Sequence, residues 1–248
     1  MDWTILLAGC LNLIVGVLVW SRGWKNKLNY LFGLFSIFTV LVILFDFIFR
    51  LLPITIILKT SYAFASFLPA MAGLWILEIC GINIKKFSKF LLVLPGVVFF
   101  ILSYIDGLVV KKVYYLTILG YKGEVGPIFS LYSLYFLTYV IFFSGLLYVL
   151  QKKLNGIKKA QLKFVLFGIL SYSLSGSIFS LILPTFFNYY NFTLLDAPSS
   201  IFFVGFTAYA ITKHHLFDIR VIATELFSVA ISIILLIRVL LSENFQEL

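Results

Sequence analysis

The strongest constraint in this sequence is a series of apolar stretches, each of roughly the length that a helix needs to cross a bilayer. A transmembrane helix requires about 20 mainly apolar residues. The apolar residues run continuously and do not alternate with polar ones, which argues against the strands of a membrane β-barrel. The qualifying stretches are 3–20, 30–49, 61–80, 90–105, 128–150, 164–183 and 197–212, and a shorter eighth covers 226–241.

The composition supports the same class of protein. Hydrophobic residues make up 62% of the chain and charged residues 12%, whereas about 25% of a soluble domain is charged. These values exclude a soluble enzyme, a disordered chain and a disulfide-stapled secreted domain. We therefore expect an all-α membrane protein, built as a seven-helix transmembrane bundle with an eighth span at 226–241 that contains Arg238.

The positions of Lys and Arg predict the orientation of the bundle. The net charge is +9, but these residues separate the apolar stretches instead of forming one basic surface, so we expect no nucleic-acid partner. Loops after the odd-numbered stretches hold thirteen Lys and Arg residues, and the opposite loops hold five. Because Lys and Arg are enriched in cytoplasmic loops, we expect a multi-pass protein of the cell membrane with its N-terminus outside.

Two features should interrupt the regular spans. The outer segment 106–127 is rich in β-branched and aromatic residues and in glycine, which predicts a small extracellular β-hairpin with its turn near Lys122 and Gly123. An irregular loop is the alternative for this segment. Pro69 lies inside the third stretch and should kink it, because proline lacks the N–H that the helix needs.

Few polar groups lie inside the apolar stretches, and each is a candidate functional residue because burial in lipid is costly. Asp46 and Arg50 are four residues apart at the outer end of the second stretch, so they can pair on one helix face or contact a ligand. Glu78 ends the third stretch, where it can meet Lys85 or Lys86 or serve as an ion site. Asn12 is expected to hydrogen-bond a neighbouring helix.

No residue pattern indicates catalysis. The sequence contains no phosphate-binding glycine loop, no HExxH and no GxSxG. Cys10 and Cys80 lie inside apolar stretches without metal-binding neighbours, and the adjacent His214 and His215 would point to different faces of a helix. We therefore expect no enzymatic activity, no cofactor and no metal site. Asp196, followed by Ala197 and Pro198, is expected to start the seventh helix as its cap.

A family resemblance appears where the seventh stretch ends. Residues 209–220 read Tyr-Ala-Ile-Thr-Lys-His-His-Leu-Phe-Asp-Ile-Arg. This segment resembles the end of the seven-helix sensor region that precedes many bacterial histidine kinases, in which Tyr-Ala-Ile is followed by a basic residue and then by Leu-x-Asp-Ile-basic. The matching residues are Tyr209, Ala210, Ile211, Lys213, Leu216, Asp218, Ile219 and Arg220. The stretch from Gly126 to Phe129 is similar to the junction before the fifth helix of that family.

The resemblance implies a sensory input module of a two-component signalling system. It divides the chain into a seven-helix sensor domain at 1–212, a cytoplasmic exit linker at 213–225, and the eighth span with a short tail at 226–248. Asp218 and Arg220 in the linker are then candidate signal-coupling residues. The chain has no phosphoacceptor helix and no ATP-binding domain, so we expect either a stand-alone sensor or a truncated kinase.

The resemblance also implies partners. They are the lipid bilayer, a kinase core or cytoplasmic signalling protein that this chain does not contain, and an unidentified small-molecule or membrane stimulus, with a homodimer as an open alternative. A competing interpretation is a small multi-pass transporter or channel component. Such a protein needs water-accessible polar residues along a helix face, and the sequence shows few of them.

Overall fold

A computed structural model describes residues 2–116, 120–187, 189, 192–214 and 231–232. The described chain is mostly helical and contains one small antiparallel sheet, as expected for an all-α membrane protein with a hairpin. The predicted eighth span, apart from two helical residues at 231–232, lies outside the described residues. So do Asp218 and Arg220, the candidate coupling residues.

The helices follow the apolar stretches closely. Their bounds are α1 Asp2–Arg22, α2 Lys27–Leu51, α3 Thr55–Ala65, α4 Leu68–Ile79, α5 Lys86–Tyr104, α6 Phe129–Lys153, α7 Gly156–Gly176, α8 Leu183–Phe187 and α9 Asp196–His214. A π-helical turn, Ser177–Ile182, joins α7 to α8, and a short 3₁₀ turn precedes α9. Among the described residues, six segments are long and apolar enough to span a membrane: α1, α2, α3 with α4, α5, α6, and α7 with α8. Because α9 is not among these six, the seventh span stays a prediction.

Helices α1 and α2 pack unusually closely through glycines spaced seven residues apart. A Cβ atom added to Gly16 would lie 2.5 Å from the Cβ of Ser36, and one added to Gly9 would lie 3.2 Å from the Ile43 side chain. One added to Gly23 would lie 2.4 Å from the Asn29 amide nitrogen. Small residues at regular spacing let helix backbones approach closely in membranes. This glycine row therefore fixes the register of the antiparallel pair.

The predicted interruption at Pro69 is confirmed as a break between α3 and α4. Pro69 occupies the first turn of α4, and residues 66–67 separate the two helices. The Tyr135 hydroxyl donates to the Ser66 carbonyl at 2.9 Å, and the Tyr132 hydroxyl donates to the Tyr62 carbonyl at 3.0 Å. The Tyr135 side chain thus satisfies a carbonyl at the break, whereas the Tyr62 carbonyl also accepts from the Ser66 backbone N–H. Such partners make a break tolerable inside a membrane.

Aromatic side chains fill the centre of the bundle. Trp75 of α4 is fully buried and packs against Phe32 of α2 and Phe203 of α9, with ring centroids 5.2 and 6.0 Å away. Phe35 stacks on the other side of the same cluster. These contacts join three helices that are distant in sequence, so the core holds α9 against the N-terminal half of the chain.

The hairpin prediction for 106–127 is confirmed, but the predicted turn position is wrong. Strand β1, Val110–Leu116, pairs antiparallel with β2, Gly120–Val125, and a bulge lies near its start. Lys122 and Gly123 pair with β1 inside the ladder, so residues 117–119 connect the strands and lie outside the described residues. Gly126 lies where a Cβ would be 2.1 Å from the Leu108 carbonyl, so this junction requires glycine.

The described charges are distributed unequally between the two ends of the bundle. One end, called here the lysine-rich end, carries Arg22, Lys25, Lys27, Lys85, Lys86, Lys89, Lys152, Lys153, Lys158, Lys159, Lys163 and Lys213. Within the described residues, Glu78 is the one carboxylate at this end. The opposite end, called here the hairpin end, carries five Lys or Arg and five carboxylates. The asymmetry matches the loop pattern of the sequence, and the side of the membrane stays a prediction.

Candidate functional site

Asp46 lies on the face of α2 that points into the bundle, near the hairpin end. Ser36 and Thr39 are buried on the same helix, two to three turns closer to the lysine-rich end. The Asp46 carboxylate accepts a hydrogen bond from the Ser61 hydroxyl of α3 at 2.5 Å. Arg50 interacts electrostatically with this carboxylate, as its position four residues along the helix predicted. The hydrogen bond to α3 could not be predicted from that spacing.

Asp196 is the second carboxylate of this region, and it begins α9. The Ser180 hydroxyl donates a hydrogen bond to it at 2.6 Å. Ser180 belongs to the π-helical turn, and a π-turn shifts the side chains that follow to a different face than a continuous α-helix would present. Gly176 gives the carboxylate room, because a Cβ there would lie 2.8 Å from Oδ1. From the sequence alone, Asp196 was expected only to cap the helix.

The fold brings the two carboxylates together with two tyrosines. Asp46 and Asp196 interact electrostatically although 150 residues separate them. Tyr132 of α6 and Tyr172 of α7 both lie within electrostatic range of the two carboxylates. We call Asp46, Asp196, Tyr132 and Tyr172 the acidic cluster. It joins α2, α6, α7 and the first turn of α9, toward the hairpin end of the bundle.

Polar contacts continue from the acidic cluster toward the middle of the bundle. The Tyr172 hydroxyl interacts with Thr39, whose own hydroxyl donates to the Phe35 carbonyl at 2.9 Å. The Asn12 amide donates to the Ser200 hydroxyl of α9 at 2.8 Å, which confirms the prediction that Asn12 bonds a neighbouring helix. Its Oδ1 atom is buried without a hydrogen-bond partner among the described residues. The first two turns of α9 are therefore held by polar contacts to α1 and to the π-turn.

Glu78 does not belong to the acidic cluster. It lies at the lysine-rich end and forms an ion pair with Lys27 at the start of α2. The expected ion pair with a lysine is present, but the partner that the structure gives is Lys27 and not Lys85 or Lys86, because α4 packs beside α2. Lys89 lies beside the same pair.

The remaining candidates show no catalytic or metal-binding arrangement. Cys10 and Cys80 are unpaired thiols and partly buried. Among the described residues, no three His, Cys, Asp or Glu side chains are grouped closely enough to hold a metal ion. His214 ends α9, and its side chain and His215 lie outside what the structure describes.

One signal in the sequence could have identified Asp196 as a partner of Asp46. Asp46 lies near the end of one apolar stretch and Asp196 just before the start of another, and both of these ends lie at the hairpin end of the bundle, so the two carboxylates must lie at similar depth. Tyr132 and Tyr172 had no such signal, because tyrosine is common in this chain. The composition of the cluster depends on which helices are neighbours, and the hydrophobic periodicity of the sequence does not show which helices pack together.

Comparison with known proteins gives no relative for this chain. No protein-family model, no curated protein and no solved structure matches it. The resemblance at residues 209–220 stays a prediction.

Proposed function

We propose that this chain is a membrane-embedded sensory input module of signal transduction, of the kind that precedes a histidine kinase core. The observation that carries the proposal is the acidic cluster, which joins carboxylates on α2 and α9 inside an otherwise apolar bundle. Ionisable groups at this depth are expensive and are functional candidates by default. The cluster contains no constellation for chemistry, so a role in binding or coupling fits it better than catalysis.

The position of Asp196 connects the cluster to the output end. Asp196 is the first residue of α9, and α9 packs along α7 through ring contacts such as Phe164 with Tyr209, whose centroids are 4.5 Å apart. A helix of 19 residues extends about 28 Å. A shift of its first turn therefore moves its last turn, where Tyr209 and Ala210 begin the segment that resembles the kinase-linked sensors.

Two arrangements of the bundle would follow from the charge state of the cluster. Two carboxylates in a low dielectric repel when both are ionised, and neutralising one of them removes the repulsion between α2 and α9. A stimulus can shift the balance only if it interacts differently with the two arrangements. A stimulus that changes the charge balance at the cluster would satisfy this requirement.

A reporter fusion tests the proposal. Residues 1–225 are joined to a reporter kinase core, and the basal output of Asp46→Asn and of Asp196→Asn is compared with that of the parent at equal membrane abundance. Both substitutions keep the size of the side chain and remove a charge from the same pair. We expect both to shift output in the same direction by about five-fold or more, the range of typical coupling energies.

Glu124→Gln provides the matched control, because it makes the same chemical change in the hairpin, where Glu124 pairs with Lys111 at 3.1 Å. It should leave output within the scatter of the parent. Shifts of opposite sign from the two aspartate variants, or an equal shift from the control, would contradict the proposed role of the cluster.

The second candidate function is a small transporter or channel component. One observation favours it: α2 carries the buried polar side chains of Asn29, Ser36 and Thr39 and the partly buried Asp46 along one face. The hydroxyls of Ser177 and Thr207 are also buried without a hydrogen-bond partner among the described residues. Proteoliposomes distinguish the two functions, since a conducting or transporting protein carries proton or Na⁺ flux that Asp46→Asn abolishes, whereas a sensor module carries none.

A further inference from the structure

A small apolar cavity opens at the lysine-rich end, away from the acidic cluster. It lies between the start of α2, the last two turns of α4 and the segment that leads into α5, and its volume is about 70 Å³. Leu31, Leu74 and Ile82 form part of its walls, and Lys27, Glu78 and Lys89 are its charged lining residues. A buried water needs two to four polar partners, and these mainly apolar walls suit a hydrocarbon group better.

Exposed aromatic residues place this cavity at the level of the lipid headgroups. Trp24 precedes α2 and is 65% exposed, and Phe87 in the first turn of α5 is 70% exposed. Aromatic side chains are enriched at membrane interfaces, where an apolar ring and a polar surrounding are both available. The cavity between these helices therefore faces the boundary between headgroups and acyl chains.

The charges around the cavity are predominantly positive. Glu78 pairs with Lys27, and Lys89 lies beside that pair. Lys85 and Lys86 add two exposed ammonium groups at the start of α5, where no side chain caps the first turn. Two lysines thus line the cavity beside one carboxylate, and two more are exposed nearby in sequence, which leaves this end complementary to an added anion.

We infer that this cavity is a binding site for an anionic phospholipid. An acyl chain enters the apolar cavity beside Leu31 and Leu74, and the phosphate is held by Lys89, Lys27 and the start of α5. Basic pockets between transmembrane helices suit anionic headgroups. A free phosphate would gain nothing from the apolar walls, and a zwitterionic lipid would gain less from the excess of positive charge.

Native mass spectrometry of the purified full chain tests the site. The chain is incubated in detergent with phosphatidylglycerol or with phosphatidylcholine of the same acyl chains, and the retained lipid is counted. We expect the parent to retain phosphatidylglycerol about five-fold more than phosphatidylcholine, since one lysine near a membrane surface contributes about that factor. Lys89→Gln should bring this ratio close to one, and Leu74→Phe should reduce retention of phosphatidylglycerol by filling the cavity.

Lys159→Gln is the matched control, because Lys159 is exposed at the same end on α7, outside the cavity. It should keep the ratio of the parent. An equal loss in Lys159→Gln, an unchanged ratio in Lys89→Gln, or displacement of the lipid by inorganic phosphate at equal concentration would each overturn the inference. Thermal unfolding midpoints of all variants are measured alongside. If Lys89→Gln does not fold, retention in Leu74→Phe equal to that of the parent overturns the inference, and reduced retention supports it.

Discussion

Individual hydroxyl groups on α6 satisfy the backbone where α3 ends and α4 begins. Ser66 and Tyr62 have carbonyls that face α6, and Tyr135 and Tyr132 donate to them. The Ser66 hydroxyl in turn donates to the Gly96 carbonyl of α5 at 2.8 Å. Hydrogen bonds therefore hold the break against α5 and α6, and they fix the position of the turn that precedes Pro69.

Tyr135→Phe should weaken the bundle, because it removes the donor to the buried Ser66 carbonyl and keeps the ring. We expect a loss of about 1 kcal/mol in the free energy of unfolding, the scale of interhelical hydrogen bonds in membranes. Unfolding in mixed micelles measures it. Tyr148→Phe on the same helix is the control, since Tyr148 is 49% exposed. Equal stability of the two variants would show that the hydroxyl at 135 contributes nothing.

The ion pair between Asp106 and Lys59 leads to a second prediction, which concerns how the stability of the fold depends on pH. The Lys59 side chain is only 5% exposed, and its ammonium donates to Asp106 in the loop after α5. This hydrogen bond and the positive charge hold the pKa of the Asp106 carboxyl below its ordinary value. A carboxylate with a lowered pKa in the folded state stabilises the fold above its unfolded pKa of about 4, and the effect is lost as pH falls through the folded pKa.

The measurement compares the thermal unfolding midpoint of the parent with that of Asp106→Asn at pH 7 and pH 3. The parent should be the more stable at pH 7, and the difference should shrink at pH 3, because pH 3 lies below the unfolded pKa and the parent has then begun to lose this stabilisation. A difference of the same size at both pH values would mean that the pair does not contribute.

Sequence chemistry identified Asp46 and Glu78 at the residue scale, but not their partners. A charged residue inside an apolar stretch can be recognised from the sequence alone. Its partners cannot, because Ser61, Asp196 and Lys27 reach these carboxylates from other helices. Only Arg50, four residues from Asp46, could be assigned from helical spacing. Contacts between helices depend on the three-dimensional packing, which residue spacing alone does not encode.

At the scale of elements, the glycine row of α1 sets how closely α1 and α2 approach. Gly9, Gly16 and Gly23 recur every seven residues, and they face Ile43, Ser36 and Asn29. The spacing was visible in the sequence, but a partner helix with the same spacing in reverse is needed to interpret it.

Gly16→Ala should destabilise this pair of helices, because the new Cβ would lie 2.5 Å from the Cβ of Ser36. We expect a loss of about 1–3 kcal/mol, the usual cost of overpacking. Gly145→Ala is the control, since a Cβ on that α6 glycine meets nothing within 4 Å. Adding Ser36→Gly to Gly16→Ala should recover part of the stability. A loss in the control as large as in Gly16→Ala, or no recovery in the double variant, would contradict the close packing.

Other elements differ in how far the sequence could predict them. The apolar stretches and Pro69 predicted the helices and the break, because length and a missing N–H act locally. The turn of the hairpin was misplaced, since Lys122 and Gly123 resemble a turn but pair within the ladder. The π-turn at Ser177–Ile182 gave no signal, because an extra residue in a helix leaves the hydropathy unchanged.

For the whole molecule, the charge asymmetry predicts the topology. Single cysteines replace Asn155 at the lysine-rich end and Gly120 in the hairpin, in a chain whose Cys10 and Cys80 are changed to Ser. An impermeant maleimide applied to intact cells should label residue 120 and not residue 155, because Lys-rich ends stay in the cytoplasm. Labelling of both residues in intact cells would place both ends outside and overturn the orientation.

The central claim is that a change at the acidic cluster reaches the exit linker at 213–225 through a movement of α9. Its most direct test combines Asp196→Asn with Asp218→Ala in the reporter fusion and measures output at matched membrane abundance. If the cluster acts only through the exit, Asp196→Asn should shift output in the parent and should have no further effect once Asp218 is replaced. Shifts that add on a logarithmic scale would show that the two positions act independently and would contradict the account.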